Sequence, residues 1–166
     1  MSISSGDRVG EKHIYPNGTE QVTALSESCS QMYIAATAPT TITTATTYYK
    51  MAGTTATYQL IHFTHSNNRL TYTGAITKKF NVMVPFSISS NTKDIEVTFE
   101  IYKNGGEGGV VASRIKRTLR AVADIFVMSL ASIVELVQND YVELWGTANE
   151  SGVIITVQTM SFMICS

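Results

Sequence analysis

Two stretches in the middle of the chain place apolar side chains at every second position. In the first, five apolar residues share this spacing: Phe80, Val82, Val84, Phe86 and Ile88. In the second they are Ile95, Val97, Phe99 and Ile101. Because successive side chains of a strand point to opposite faces, each stretch predicts a long strand with one buried face. The second strand is expected to direct its alternate residues to solvent: Glu96, Thr98, Glu100 and Tyr102.

The flanking segments predict further strands joined by short turns. Residues 58–65 and 69–73 surround Ser66-Asn67-Asn68 and predict a hairpin. Residues 141–145 and 152–164 predict two strands around a turn at 148–152, and residues 110–120 predict a polar, basic strand. The Ala- and Thr-rich residues 35–57 predict one or two edge strands. About eight strands with short turns indicate an all-β, antiparallel sandwich.

Two segments need a choice between alternatives. Pro85 has no backbone N–H, so it predicts that the first long strand lies at a sheet edge or contains a bulge. Residues 124–137 fit either a helical or a strand period. The β-branched residues and the flanking Asp124 and Asn139-Asp140 favour a strand there.

The first thirty residues have a different composition from the rest. They are polar and rich in Ser, Gly and Glu, with a predicted turn at Pro16-Asn17-Gly18. We therefore predict an N-terminal arm over residues 1–30 that serves for attachment, and one sandwich domain over residues 31–166. Neither a secretory signal nor a stretch near the ~20 apolar residues of a membrane span is present in the sequence. These features predict synthesis in a cytoplasm and no membrane association.

The charge balance argues against a nucleic-acid partner. Twelve basic and thirteen acidic groups give a formal net charge of -1, and charged residues are 15% of the chain. Such a low charged fraction suits a protein that works inside an assembly. The two cysteines, Cys29 and Cys165, have no metal-site spacing, and we expect them to be free, half-buried thiols.

No pattern of catalytic or cofactor-binding residues emerges. His62 and His65 would share the face of a helix, but three residues apart on a strand they point to opposite faces, which argues against a metal site within one chain. A site around a threefold axis, with one histidine from each subunit, is the alternative that stays open. The serines lack a nucleophile elbow, and the glycines of residues 105–109 lack the Lys-Ser/Thr of a phosphate-binding loop. We expect no cofactor, no metal and no enzymatic activity.

One stretch is strongly basic, with four cations: Arg114, Lys116, Arg117 and Arg120. They form either a patch that contacts phosphate, sialylated or acidic surfaces, or a solvated strand face paired with Glu96 and Glu100 across the sheet. The second interpretation is favoured. The aromatic residues Tyr48, Tyr49, Tyr102, Tyr141 and Trp145 similarly indicate either a glycan surface or a subunit contact.

From about Thr77 onward the sequence resembles the trimeric jelly roll of tumour-necrosis-factor-like ligands, complement-type globular heads and viral fibre and capsid-decoration domains. The resemblance is carried by KFNVMVPFSISS, EVTFEIYKNGGEGG, ASRIKRTL, MSLASIVELVQNDYVELWG and ITVQTMSFMIC. It implies a homotrimer whose last strand lies beside the threefold axis. The subunit contact is expected to include Tyr141, Trp145, Met160, Phe162 and Ile164.

Because the sequence has neither a signal peptide nor a collagen-like stalk, the viral members resemble it better than the extracellular animal ones. This resemblance implies a structural virion protein, such as a capsid decoration or head fibre, bound to other virion proteins such as the major capsid protein. A receptor- or glycan-binding tip of a viral tail fibre is the alternative. Five residues in three turns are expected to face a partner: Asn91, Gly105, Gly106, Gly108 and Asn149.

Overall fold

The computed structural model describes residues 12–14, 20–22, 27–105 and 109–166. The strands in these residues are β1 Lys12–Ile14, β2 Glu20–Val22, β3 Cys29–Thr37, β4 Pro39–Ile42, β5 Tyr49–Lys50, β6 Gly53–Leu60, β7 Phe63–Ser66, β8 Arg69–Tyr72, β9 Lys78–Ser90, β10 Ile95–Lys103, β11 Ile115–Leu119, β12 Phe126–Leu136, β13 Tyr141–Ala148 and β14 Val153–Cys165. A short 3-10 helix, Val111–Ser113, precedes β11.

Two six-stranded sheets pack face to face, and their strand pairs are antiparallel. The β9 sheet has the order β12-β9-β14-β3-β6, with β4 also paired to β14. The β10 sheet has the order β11-β10-β13-β8-β7, with β5 also paired to β13. The short strands β1 and β2 pair with each other. This architecture confirms the predicted antiparallel jelly-roll sandwich.

The core lies between the two sheets and consists of the predicted alternating residues. The apolar residues of the two stretches that predicted long strands are each no more than 2% exposed. Phe86 of β9 and Phe99 of β10 meet across the sandwich with ring centroids 5.0 Å apart in an edge-to-face arrangement. Local alternation therefore identified both the strands and the faces that they bury.

Other local predictions are also confirmed. The predicted hairpin is confirmed for β7 and β8, whose turn contains Asn67 and Asn68, both with the positive φ of a two-residue hairpin turn. Residues 58–60 differ from the prediction, because they belong to β6 of the β9 sheet. The ambiguous segment 124–137 contains β12, whose odd-numbered residues are exposed and whose even-numbered residues are mostly buried. Residues 110–120 differ from the prediction, because the 3-10 helix occupies the start and leaves a strand of five residues.

The position of Pro85 rules out the edge-strand alternative, while the bulge alternative agrees with a register shift in the β9–β14 pair. The strand β9 pairs with β12 on one side and β14 on the other, so it is central rather than an edge strand. Its pairing with β14 passes from Met160–Phe86 to Met163–Met83, and Pro85, which has no N–H to donate, lies in the gap. The register shift of this pair lies in β14, between Val157 and Thr159.

The cysteines correct another expectation, because they form a disulfide rather than free thiols. Cys29 is the first residue of β3 and Cys165 the last of β14, and the two strands pair with these residues directly opposite each other. A sequence separation of 136 residues hides this proximity in the sequence. The disulfide joins the first and last strands of the sandwich.

The chain enters and leaves the sandwich at the same end. The Ser28 backbone N–H donates to the Ser166 hydroxyl, and Ser166 donates its own N–H to the Ser28 carbonyl. The sandwich therefore starts at Ser28, two residues before the predicted end of the arm. The predicted turn at residues 16–18 lies outside the described residues.

Candidate interaction surfaces

The outward face of the β9 sheet carries polar and apolar side chains with no charge across its centre. We call it the uncharged face and define it by nine residues on four adjacent strands: Gln31, Tyr33, Met83, Pro85, Val127, Ala131, Ile133, Ser161 and Met163. Its large apolar side chains are well exposed in the single chain, with Val127 at 69%, Ile133 at 64% and Met83 at 51%. An exposed apolar sheet face of this kind is typical of a contact surface.

The pairing register shows that this face is continuous. Met163 lies opposite Met83, which lies opposite Ala131, so one row crosses three strands. Gln31 donates a hydrogen bond from its side-chain amide to the Ser161 hydroxyl at 2.7 Å, which places β3 and β14 on the same face. Charged side chains flank it at one end, where Lys79 of β9 lies opposite Glu135 of β12.

A groove of about 420 Å³ crosses the uncharged face where the β9–β14 register shifts. Its lining residues come from β9, from β14, from the start of β12 and from the residue before it: Pro85, Phe86, Ser87, Ile125, Val127, Thr159, Met160 and Ser161. The Ser87 and Thr159 hydroxyls are hydrogen bonded to each other at 2.7 Å. Most of the other side chains that line the groove are apolar. The groove is therefore part of the same surface.

The predicted subunit contact has to be revised for its β14 residues. Phe162 and Ile164 are fully buried and Met160 is buried, because their side chains point into the core of the same chain. Phe162 and Ile164 have no exposed surface to bury against a second subunit and are core residues, whereas Met160 keeps 7% exposure and lines the groove of the uncharged face. Met163, on the opposite side of β14, does lie on the uncharged face. Tyr141 and Trp145 lie on the other sheet.

The outward face of the β10 sheet has the opposite chemistry. Its centre is a charged-aromatic cluster that we define by seven residues: Tyr48, Lys50, Glu100, Tyr102, Arg114, Glu143 and Trp145. The rings of Tyr102 and Trp145 stack with centroids 4.6 Å apart, and the Tyr48 ring lies 5.4 Å from Tyr102. The Trp145 indole N–H donates to the Glu143 carboxylate at 2.8 Å.

Two carboxylates are buried within this cluster. Glu100 is 1% exposed and Glu143 is 3% exposed, although both lie on the side of the sheet that the alternation assigns to solvent. Arg114 forms an ion pair with Glu100, and the Lys50 ammonium lies 3.1 Å from Glu143. Aromatic rings and cations from distant parts of the chain therefore replace water around these carboxylates. The expectation that Thr98, Glu100 and Tyr102 face solvent is wrong, since all three are buried.

Ionisation in the cluster follows from this burial. Burial, followed by the nearby Glu100 carboxylate, raises the pKa of the Tyr48 and Tyr102 hydroxyls. The hydrogen bond to Glu100 raises the pKa of Arg114. Both tyrosines stay protonated at neutral pH and Arg114 stays charged.

The four cations of the basic stretch are largely engaged within the chain. Arg114 pairs with Glu100, and Lys116 pairs with Glu96 at 2.9 Å, as the favoured interpretation predicted. Arg117 donates to the backbone carbonyl of Val127 at 3.2 Å and its guanidinium lies over the Phe126 ring. Arg120 is exposed. The stretch is therefore a paired strand face and not a concentrated cationic patch.

The predicted partner loops lie at opposite ends of the sandwich. The Asn91 and Asn149 side chains accept hydrogen bonds from the backbones of Ile154 and Glu96, and both turns lie at the end remote from Ser28. Gly105, with φ of 67°, lies at the end where the chain enters, near Tyr141. Gly106 and Gly108 lie outside the described residues.

The two histidines have separate partners. The Ser28 hydroxyl is hydrogen bonded to Nδ1 of His62 at 2.9 Å, and the Thr55 hydroxyl to Nε2 of His65 at 2.6 Å. The described residues contain no group of three or more His, Cys, Asp or Glu side chains placed to hold a metal ion. That same part of the chain also contains no helix long and apolar enough to cross a membrane.

Comparison with known proteins is informative at the level of the fold. No protein family and no curated protein matches the sequence. Sixteen solved chains match the structure. One of them is Eiger TNF from S. frugiperda, which has 6% sequence identity and a TM-score of 0.51, over 80% of this chain and 92% of that chain. The chain therefore has the jelly-roll fold of a tumour-necrosis-factor-like protein.

Proposed function

We propose that this chain is a non-enzymatic structural protein that forms a homotrimer and attaches to a virus particle as a capsid decoration or head fibre. The observation that carries the self-association is the uncharged face, where Met83, Val127 and Ile133 are exposed in a single chain. Burying these side chains against a second copy stabilises an assembly by about 25 cal/mol for each Å² removed from water. The subunit number of three rests on the resemblance to trimeric jelly rolls.

The two ends of the sandwich differ, and this difference supports a defined orientation of the chain on the particle. The N-terminal segment enters beside Ser166, whereas the turns that contain Asn91 and Asn149 lie at the far end. Attachment through the N-terminal segment to a virion protein, such as the major capsid protein, leaves that far end facing outward. The turns at Asn91 and Asn149 are then the outermost parts of the assembly.

The disulfide is compatible with a protein that works outside a reducing cytoplasm. Disulfides persist in oxidising surroundings, which a released particle encounters after assembly in the host cell. The charged-aromatic cluster is compatible with a structural role, because each of its two buried carboxylates forms an ion pair with a cation of the same chain. A structural role on a virion thus accounts for both features.

The test compares the full chain with a variant that lacks residues 1–26. This deletion ends before Ser28 and keeps the bond between Ser28 and Ser166 and the disulfide. We expect the full chain to co-sediment with purified particles and to appear in electron micrographs as threefold projections. The shortened chain should fold and associate equally well but stay off the particle. Absence of the full chain from purified particles would refute attachment.

A second candidate function is recognition of a host glycan or receptor by a fibre tip. The half-exposed Trp145, stacked on Tyr102, offers the type of ring surface on which sugars stack. This function predicts saturable binding of the full chain to host-cell glycans that Trp145→Ala abolishes without changing subunit association. Binding that survives Trp145→Ala would exclude the charged-aromatic cluster as the glycan site.

A further inference from the structure

The strand β12 is a long edge of the β9 sheet. Among the described strands it pairs only with β9, over all 11 of its residues. Its outward side chains include Val127 and Ile133, which are strongly exposed. A long edge with apolar side chains is a template for pairing with another chain.

Two hydrogen bonds show which backbone groups of β12 face the open edge. Arg117 donates from its guanidinium to the Val127 carbonyl at 3.2 Å, and Lys103 donates from its ammonium to the Glu135 carbonyl at 3.0 Å. These carbonyls belong to odd-numbered residues, and the β9–β12 register is unbroken from Phe126 to Leu136. The backbone groups of Ser129, Ala131 and Ile133, between the two bonds, therefore also point away from β9.

Both cations come from the opposite sheet and are held in place. Arg117 belongs to β11, and its guanidinium lies 5.1 Å from the centroid of the Phe126 ring. Lys103 is the last residue of β10, and its ammonium lies 2.7 Å from the Asp140 carboxylate. The 3-10 helix Val111–Ser113 also contacts β12. The β10 sheet thus closes the open side of the sandwich with a cation at each end.

We propose that Arg117 and Lys103 prevent β12 from pairing with β12 of a second copy of this chain. When two β12 edges pair antiparallel with Ala131 opposite its counterpart, the twofold axis passes this residue, which is midway between Val127 and Glu135. That arrangement brings Arg117 of one copy to Lys103 of the other, at both ends of the pair. Both cations also occupy edge carbonyls, those of Val127 and Glu135, that such a pair would need as acceptors, and this disfavours the pairing. Copies of the chain are therefore directed to associate through the uncharged face.

Light scattering of the purified chain tests whether these two cations prevent the edge pairing. The double variant Arg117→Met, Lys103→Met keeps side-chain length but removes both cations and both edge bonds. We expect its mass to rise to at least twice that of the wild type at equal concentration, because every β12 edge of an assembly becomes free to pair. The matched control Lys116→Met, Arg120→Met removes two cations from the same region and should keep the wild-type mass. An unchanged mass for the double variant would overturn the proposal.

A third variant separates edge pairing from loss of folding. Ala131→Pro removes an N–H that points to the open edge and takes no part in the pairing with β9. Added to the double variant, it should restore the wild-type mass. If the mass stays high in the triple variant, the association comes from another surface or from unfolded chain, and the proposed role of Arg117 and Lys103 is refuted. A wild-type chain that proves monomeric would contradict the proposed trimer but leave this comparison intact.

Discussion

Arg114 and Lys116 are two residues apart, and each forms an ion pair with a glutamate of β10. Their glutamates differ in burial, because Glu100 is inaccessible to solvent whereas Glu96 is half-buried. Removing the cation from a buried carboxylate leaves an uncompensated charge, and removing it from an exposed carboxylate lets water replace it. The two pairs should therefore contribute unequally to the free energy of unfolding.

We expect Arg114→Met to lower the free energy of unfolding by more than Lys116→Met does, because it removes the cation from a buried carboxylate. Lys116→Met, with a matched change of side chain, should lower it by no more than about 1 kcal/mol. Denaturant titration of the two variants measures both values. Equal effects would mean that water reaches Glu100 in solution.

Phe99 tests the core at the same scale. Its ring packs against Phe86, and Gly146 gives it room, since a Cβ at Gly146 would lie 2.7 Å from the ring. We expect Phe99→Ala to destabilise the domain by about 3 to 5 kcal/mol. Tyr58→Ala, which removes a ring that is 82% exposed, should change stability by no more than about 0.5 kcal/mol. Similar losses in both variants would show that the alternation assigns the buried face wrongly.

At the scale of elements, the first and last strands depend on each other through the disulfide. It closes a loop with a sequence separation of 136 residues, which strongly restricts the unfolded chain. We expect the double variant Cys29→Ser, Cys165→Ser to lose about 2 to 5 kcal/mol of stability. Reductant should lower the unfolding temperature of the wild type and leave that of the double variant unchanged. A wild type that is insensitive to reductant would contradict the contribution of the disulfide.

The strands were largely predictable because their signal is local. The alternation around Phe86 and Phe99 specifies the side chains that a strand buries, whichever strands are its neighbours. The disulfide was not predictable, because it depends on the register between β3 and β14. The central place of β9 was hidden for a similar reason, since Pro85 indicates a missing N–H but not the strand that accommodates it.

The interaction surfaces were less predictable than the strands. The burial of Glu100 depends on Arg114 and Tyr48, which reach it from other parts of the chain. The apolar residues of β14 indicated that both of its faces are covered, but the sequence did not show which face belongs to the core. The structure assigns Phe162 to the core and Met163 to the uncharged face.

At the scale of the whole molecule, the two outer faces have distinct chemistry. On the β10 sheet, ion pairs and stacked rings satisfy the charged groups within one chain. On the β9 sheet, apolar side chains remain exposed next to the edge strand β12, where Arg117 and Lys103 donate to backbone carbonyls. The uncharged face is therefore the surface that most needs a partner, and association through it is the central claim.

Light scattering of the purified chain at micromolar concentration tests this claim most directly. We expect a mass three times the 18.1 kDa of one chain. Met83→Glu places a charge at the centre of the uncharged face and should give the mass of a single chain, whereas Thr64→Glu, an exposed position on the other sheet, should keep the threefold mass. A wild type with the mass of one chain, or a Met83→Glu variant that keeps the wild-type mass, would contradict association through the uncharged face.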